Sequence, residues 1–235
     1  MLRDPKERSI ESLKQIKNLL DKHNIEHWLD EGTLLGVVRE GKLIEWDHDI
    51  DLGTWIKNIE KIITIFDEIR KIGLEVCFFE WNKHIKLLGI GYEIDINLYF
   101  LKNNKAVRYW HVHNKLGRVI DYLIWIFHIK NPESRRFNIP FFVTKTLVKI
   151  TNMLPTWINK KIIGILAKVY ENNGCKKVEV SVPSHFFTNL SSMKFYNETF
   201  KIPKETEEYL EYRYGKDWRI PKRDYVYYRD DGAVQ

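Results

Sequence analysis

The stretch Asp47-His48-Asp49-Ile50-Asp51-Leu52 does most to narrow what this chain can fold into. Carboxylate and apolar residue alternate from Asp49 to Leu52, which predicts a strand with Asp49 and Asp51 on one face and Ile50 and Leu52 on the other. The apolar face has to be buried in a core, and the acidic face then needs a cation. About 17 residues earlier, Gly32-Thr33 turns the chain towards a predicted helix, Leu34 to Glu40, with Thr33 as N-cap and Gly41 as its end. The start of a helix presents free backbone amides that suit a phosphate. Amides followed by spaced carboxylates suit a metal-bound polyphosphate.

About 44 residues after Asp51, the run Tyr92-Glu-Ile-Asp-Ile-Asn-Leu-Tyr99 alternates again and places Asp95 on the face away from Ile94 and Ile96. A carboxylate in an apolar strand needs a partner. A position beside Asp49 and Asp51 supplies one, in the form of a shared cation. The three aspartates are therefore the candidate catalytic and metal-binding residues. Mg²⁺, with Mn²⁺ as its substitute, prefers such oxygen ligands. Gly32, Thr33, Arg39, Lys42 and Lys86 are the candidate phosphate-binding residues. Asp47 shares the parity of the pair and reads as a further ligand or a support for one. His48 has the opposite parity and is expected to point away.

Other elements follow from periodicity. Helices are predicted over residues 5–22 and 55–71, and strands over 25–29, 74–81, 83–91 and 92–100, with a turn at Asn82-Lys83. From about residue 115 the chain becomes helical, basic and aromatic, with helices over 121–130, 141–153 and 156–170 broken at Asn131-Pro132 and Ile139-Pro140. Short strands over 178–182 and 194–196 precede a tail helix between Pro203 and Gly215. The expected organisation is a catalytic core over 1–114 and an elaboration over 115–235 that packs on it. The helical middle reads first as a cap with solvated lysines. The sharper alternative is a peripheral membrane contact through residues 120–165.

The formal charge of +6 and pI of about 9.1 imply an acidic partner. No basic block is dense enough to suggest nucleic acid, and none is expected as a partner. Cys77 and Cys175 form no motif. The first residues carry no apolar signal core, and no stretch approaches the ~20 apolar residues of a membrane span. The expectation is a cytoplasmic protein, with peripheral contact to the inner face of the plasma membrane as an addition.

The two motifs together resemble the nucleotidyltransferase (polymerase beta-like) superfamily. Asp30-Glu-Gly-Thr-Leu-Leu-Gly-Val-Val-Arg39, Ile44-Glu-Trp-Asp-His-Asp-Ile-Asp51 and the tail Tyr214-Gly-Lys-Asp-Trp218 are similar to the LicD/fukutin family within it. The resemblance implies an α/β (α+β) nucleotidyltransferase fold, a mixed sheet flanked by helices, with a helical and C-terminal elaboration. It also implies transfer of a phospho-alcohol, such as phosphocholine or ribitol phosphate, from a CDP-linked donor to a glycan acceptor, with release of CMP. Asp49 and Asp51 would hold the metal, and Asp95 would ligate it or act as base. His48 stands where the family often has a third Asp. No cysteine set matches the zinc-binding insertion of some members, so no zinc is expected. Two alternatives stand beside it: nucleotidyl transfer from an NTP through the same carboxylates, and a non-catalytic domain that uses the basic, aromatic middle on membrane or nucleic acid.

Overall fold

The computed structural model describes residues 5–79, 84–89, 92–129 and 139–235. The expected turn at Asn82-Lys83 and the break at Asn131-Pro132 lie outside the described residues. A seven-stranded mixed sheet carries the molecule. Its strands are β1 (Trp28–Leu29), β2 (Asp49–Trp55), β3 (Glu75–Phe79), β4 (His84–Leu88), β5 (Glu93–Lys102), β6 (Lys105–His113) and β7 (Cys175–Pro183). The order is β1-β2-β5-β4-β3, with β6 on β5 and β7 on β6. Only β2 and β5 run parallel; every other pair is antiparallel. The fold class expected from the sequence, a mixed sheet flanked by helices, is the one observed.

Around the sheet lie α1 (Pro5–Lys22), α2 (Glu31–Glu40), α3 (Ile59–Thr64) and α4 (Phe66–Lys71). The helix α1 buries Leu13, Ile16 and Leu20, the apolar stripe that predicted it. The single helix expected over 55–71 is broken. Trp55 still belongs to β2, paired with Tyr99, and Ile65 leaves helical geometry between α3 and α4. A helical stripe was present on both sides of that break, so periodicity alone passed over it. The helix α2 begins at Glu31, not Leu34, because Asp30 occupies the N-cap position with extended backbone. Gly41 ends it at φ 68, a left-handed conformation that glycine adopts without strain.

The strand β6 has no clean alternation, since Lys105, Arg108, His111 and His113 interrupt it. It forms because β5 turns into it through Asn103-Asn104, both at positive φ, the two-residue hairpin geometry that asparagine tolerates. The helical middle comprises α5 (Lys115–His128), α6 (Phe141–Met153) and α7 (Thr156–Val169). These helices build a second, smaller core around Trp125, Tyr122, Val148 and Tyr170. The chain then continues through α8 (His185–Thr188), the hairpin β8 (Leu190–Phe195) and β9 (Glu198–Pro203), α9 (Thr206–Tyr214) and α10 (Tyr227–Asp230). Pro203 closes β9 instead of opening the tail helix, because it pairs with Leu190 in the hairpin. Phe187 and Tyr209 from this region join Trp28 and Tyr99 in the main core. Trp28 stacks on Phe187 with centroids 4.5 Å apart.

Candidate active site

The parallel pairing of β2 and β5 puts Asp51 level with Asp95, and Asp49 level with Glu93. Ile50, Leu52, Ile94 and Ile96 are fully buried on the opposite face. The acidic face opens into a cleft of about 600 Å³ whose wall includes Asp47, Asp49, Asp51 and Asp95. The first turn of α2 abuts this group. A methyl at Gly32 would overlap Asp47 Oδ2 and lie 4.0 Å from Asp51 Oδ2. Glycine there lets the Asp47 carboxylate lie against the helix start; a larger residue would displace it.

Thr33 acts differently from the phosphate contact expected of it. Its side chain is buried and forms no part of the cleft wall. Its hydroxyl accepts a hydrogen bond from Asp51 N at 2.8 Å, while Asp30 N donates to Asp51 O at 3.1 Å. The Gly-Thr turn thus fixes the backbone that carries the metal-side aspartate. Asn97 Nδ2 donates to Asp51 Oδ1 at 3.2 Å from the neighbouring strand.

The electrostatics of the group are unbalanced. Burial, then the charges of Asp95 and Asp47, pushes the Asp49 carboxyl up to about 9. Burial and Asp49 push Asp51 well above the usual carboxylate range. Burial would raise Asp95 too, but Lys86 at 3.3 Å and His84 at 3.2 Å outweigh it and hold Asp95 below that range. Lys86 also reaches Glu93 at 2.8 Å. The pairs occupy Asp95 Oδ2, while Oδ1 is buried with no hydrogen-bond partner. An all-oxygen donor set that cannot ionise together, with an orphaned carboxylate oxygen beside it, fits a hard divalent cation. No three such side chains converge on one point among the described residues. A divalent cation held here would need phosphate or water to complete its coordination.

A second cluster lines the same cleft and was not foreseen from the sequence. Glu31 sits at φ 43, a left-handed backbone that costs about 1–3 kcal/mol in a non-glycine residue. Its Oε1 lies 3.2 Å from Arg108 Nη2 and accepts from Arg213 Nη1 and Nη2, each at 3.2 Å. Arg213 is fully buried, clamps Asp231 through Nε and Nη2, and donates to the Tyr209 hydroxyl at 2.9 Å. Asp30 accepts from Tyr99 OH at 2.7 Å and from Tyr209 OH at 2.5 Å. The sequence offered one signal: two arginines set among aromatic and apolar neighbours, Val107-Arg108-Tyr109-Trp110 and Tyr212-Arg213-Tyr214. Arginine in such runs is buried only with carboxylate partners.

The remaining candidates divide. Arg39 and Lys86 are part of the cleft wall, and Arg39 is bonded to Glu40 Oε1 at 2.6 Å. Lys42 is exposed after the Gly41 turn, outside the helix, and is not part of the wall. His48 is exposed, edge-on to Tyr92, and likewise absent from the wall. Tyr214 and Trp218 line the cleft from the tail, together with Lys222 and Arg223, two cations that sequence reading did not single out. The Arg223 guanidinium lies over the Trp46 ring, 4.9 Å from its centroid.

Comparison with known proteins adds an independent line. The LicD/FKTN/FKRP nucleotidyltransferase domain matches residues 24–87, which carry α2, β2 and Lys86. An uncharacterized protein of Rickettsia typhi is 31% identical over 97 residues, 40% of this chain and 29% of its own length. The human ribitol 5-phosphate transferase FKRP is 35% identical over 49 residues, 21% of this chain and 10% of its own. The human ribitol-5-phosphate transferase FKTN is 26% identical over 225 residues, 96% of this chain and 36% of its own. The chain thus spans between a tenth and about a third of the length of these relatives.

Proposed function

We propose, for a chain that belongs to the LicD/FKTN/FKRP nucleotidyltransferase family, a metal-dependent phosphotransferase that moves a polyol phosphate or phosphocholine from a CDP-activated donor to a hydroxyl of a cell-surface glycan. CMP is the leaving group. One observation carries the reading. Asp49 and Asp51 share a strand face, Asp51 lies level with Asp95, whose Oδ1 is buried without a partner, and all three line one cleft with Gly32 at the start of a helix.

Asp49 and Asp51 would hold Mg²⁺ or Mn²⁺. The ion would supply charge neutralisation for the donor diphosphate, worth several kcal/mol in the transition state. Asp95, held below its usual range by Lys86 and His84, is a poor proton acceptor at neutral pH, which supports a charge-holding role over that of a base. Gly32 lines the cleft at the start of α2, where free backbone amides suit a phosphate. Arg39, Lys222 and Arg223 add positive charge to the cleft wall for the rest of the donor. The match to two ribitol-phosphate transferases favours a polyol phosphate over phosphocholine.

The test is CMP release from CDP-ribitol, CDP-glycerol, CDP-choline and CDP-ethanolamine with Mg²⁺ or Mn²⁺. The reading requires turnover or donor-dependent thermal protection with at least one of them, and a loss of about a hundredfold or more in Asp49→Asn and Asp51→Asn. Protection by ATP with none from any CDP compound would redirect the site to nucleotidyl transfer.

A further inference from the structure

Residues 139–170 hold five lysines and no Asp or Glu, in a chain that has 32 acidic residues. The stretch folds as two consecutive helices, α6 and α7, each packed on α5. One face of α6 packs inwards through Thr144, Val148 and Thr151. At the 100° step of a helix, Phe142, Lys149 and Met153 lie on the opposite face. Phe142 is 71% exposed and Met153 79%. On α7 the same step groups Trp157, Lys161 and Lys168 on the outer face, with Trp157 67% exposed. Met153 and Trp157 flank the Leu154-Pro155 turn that joins the two helices. Lys149, Lys160 and Lys161 follow one helical turn back, about 6 Å from it.

Large exposed apolar side chains at the junction of two helices, with cations one turn away on either side, match the composition of a bilayer interface. The apolar groups enter the acyl boundary, tryptophan sits at the headgroup level and the lysines meet lipid phosphates. A second copy of this chain would bring the same cations face to face, which the complete lack of acid in the two helices disfavours. No helix among the described residues is long and apolar enough to cross a membrane, so the contact lies on the surface. We infer that the α6–α7 helix pair docks this protein on an anionic lipid bilayer, with Met153 and Trp157 inserted and Lys149, Lys160 and Lys161 on the headgroups.

The docking stands apart from the proposed reaction. The cleft wall includes Asp121 of α5 and Tyr170, the residue that follows α7, so the helix pair extends from the cleft's own rim. If the transferase reading holds, an acceptor carried on a lipid would arrive beside the carboxylates.

Co-sedimentation of the full chain with vesicles of phosphatidylcholine alone, or mixed with phosphatidylglycerol, tests the docking without donor or turnover. The protein is expected to pellet with the anionic vesicles only. Lys149→Glu/Lys160→Glu/Lys161→Glu should weaken binding by a hundredfold or more, at roughly fivefold per lysine removed. Met153→Ser/Trp157→Ser should leave a weak association that salt abolishes. All substituted positions are exposed, so an unchanged Tm would show that the variants fold. Recovery of the wild-type chain in the supernatant with anionic vesicles would overturn the inference. So would undiminished binding by both variants, or a wild-type dimer that Met153→Ser/Trp157→Ser dissolves while no vesicle binds.

Discussion

Asp49→Asn in protein stripped of divalent cations should raise stability, and by an amount that grows with pH. In the unfolded chain Asp49 titrates near the ordinary carboxylate value of about 4. In the fold, burial together with Asp95 and Asp47 pushes it up to about 9. A carboxyl raised by folding contributes stability that is fully present below about pH 4 and is lost progressively as pH rises towards 9. At pH 7 the full shift corresponds to a loss of about 4 kcal/mol. Asp49 is only half-buried and solvent relaxes around it, so about 2 kcal/mol is the reasonable figure. Asparagine keeps the shape and never ionises. For a chain of this size, about 2 kcal/mol amounts to a Tm gain of about 4–8 °C at pH 7. The gain should shrink to about 1 kcal/mol or less at pH 5. Excess Mn²⁺ should reverse the order, since the wild type gains binding energy that the variant lacks. Scanning fluorimetry from pH 5 to 9, with chelator and with Mn²⁺, gives all four curves. A variant less stable than wild type at pH 8 in chelator, or a gain that ignores pH, would refute the reasoning.

Three further substitutions separate the layers of the site. Thr33→Val removes the acceptor of Asp51 N inside the protein and should cost about 1–3 kcal/mol by chemical denaturation, with activity falling further than stability explains. Arg213→Met strands the buried Asp231 and leaves Glu31 to Arg108 alone, and should cost about 3–5 kcal/mol, a Tm loss on the order of 10 °C, without removing any of the three candidate aspartates. Lys42→Ala should leave stability and donor affinity within about twofold, since the side chain is exposed and outside the cleft wall, whereas Arg39→Ala should weaken donor binding in isothermal titration.

What the sequence revealed and what it hid divide along one physical line. The placement of Asp49, Asp51 and Asp95 was legible because strand parity is a local property with a period of two, and each aspartate lies next to buried isoleucines that report its face. The α1 stripe and the α6 boundaries were legible for the same reason at a helical period. Arg108 and Arg213 were not. Their partner Glu31 is 77 and 182 residues away in sequence, and no periodicity carries that distance. The same burial disguised β6, whose Arg108 breaks the alternation that would have marked it as a strand. Thr33 was misread because a hydroxyl at a helix start looks like a cap. Asp30 had already taken that position, which left Thr33 free to hold Asp51.

Four consecutive residues show why this stretch admits so little variation. Asp30 accepts from Tyr99 and Tyr209 and so ties the sheet to the tail helix. Glu31 takes a strained backbone and offsets it with ion pairs to Arg108 and Arg213, which bind β6 and α9 to the same point. Gly32 omits a side chain where the Asp47 carboxylate lies. Thr33 accepts from Asp51 N and sets the strand that carries Asp49 and Asp51. Each residue turns to a different neighbour because the backbone changes conformation at every step here: Asp30 is extended and Glu31 left-handed before the helix continues. A strand would have aimed alternate residues at the same partner. The helix start is therefore what lets one short segment make room for Asp47, brace Asp51 and lock the C-terminal elaboration onto the core. A substitution that loosens the tail should for that reason alter the cation site through Glu31 and Gly32, even though Arg213 never touches an aspartate of the β2 pair.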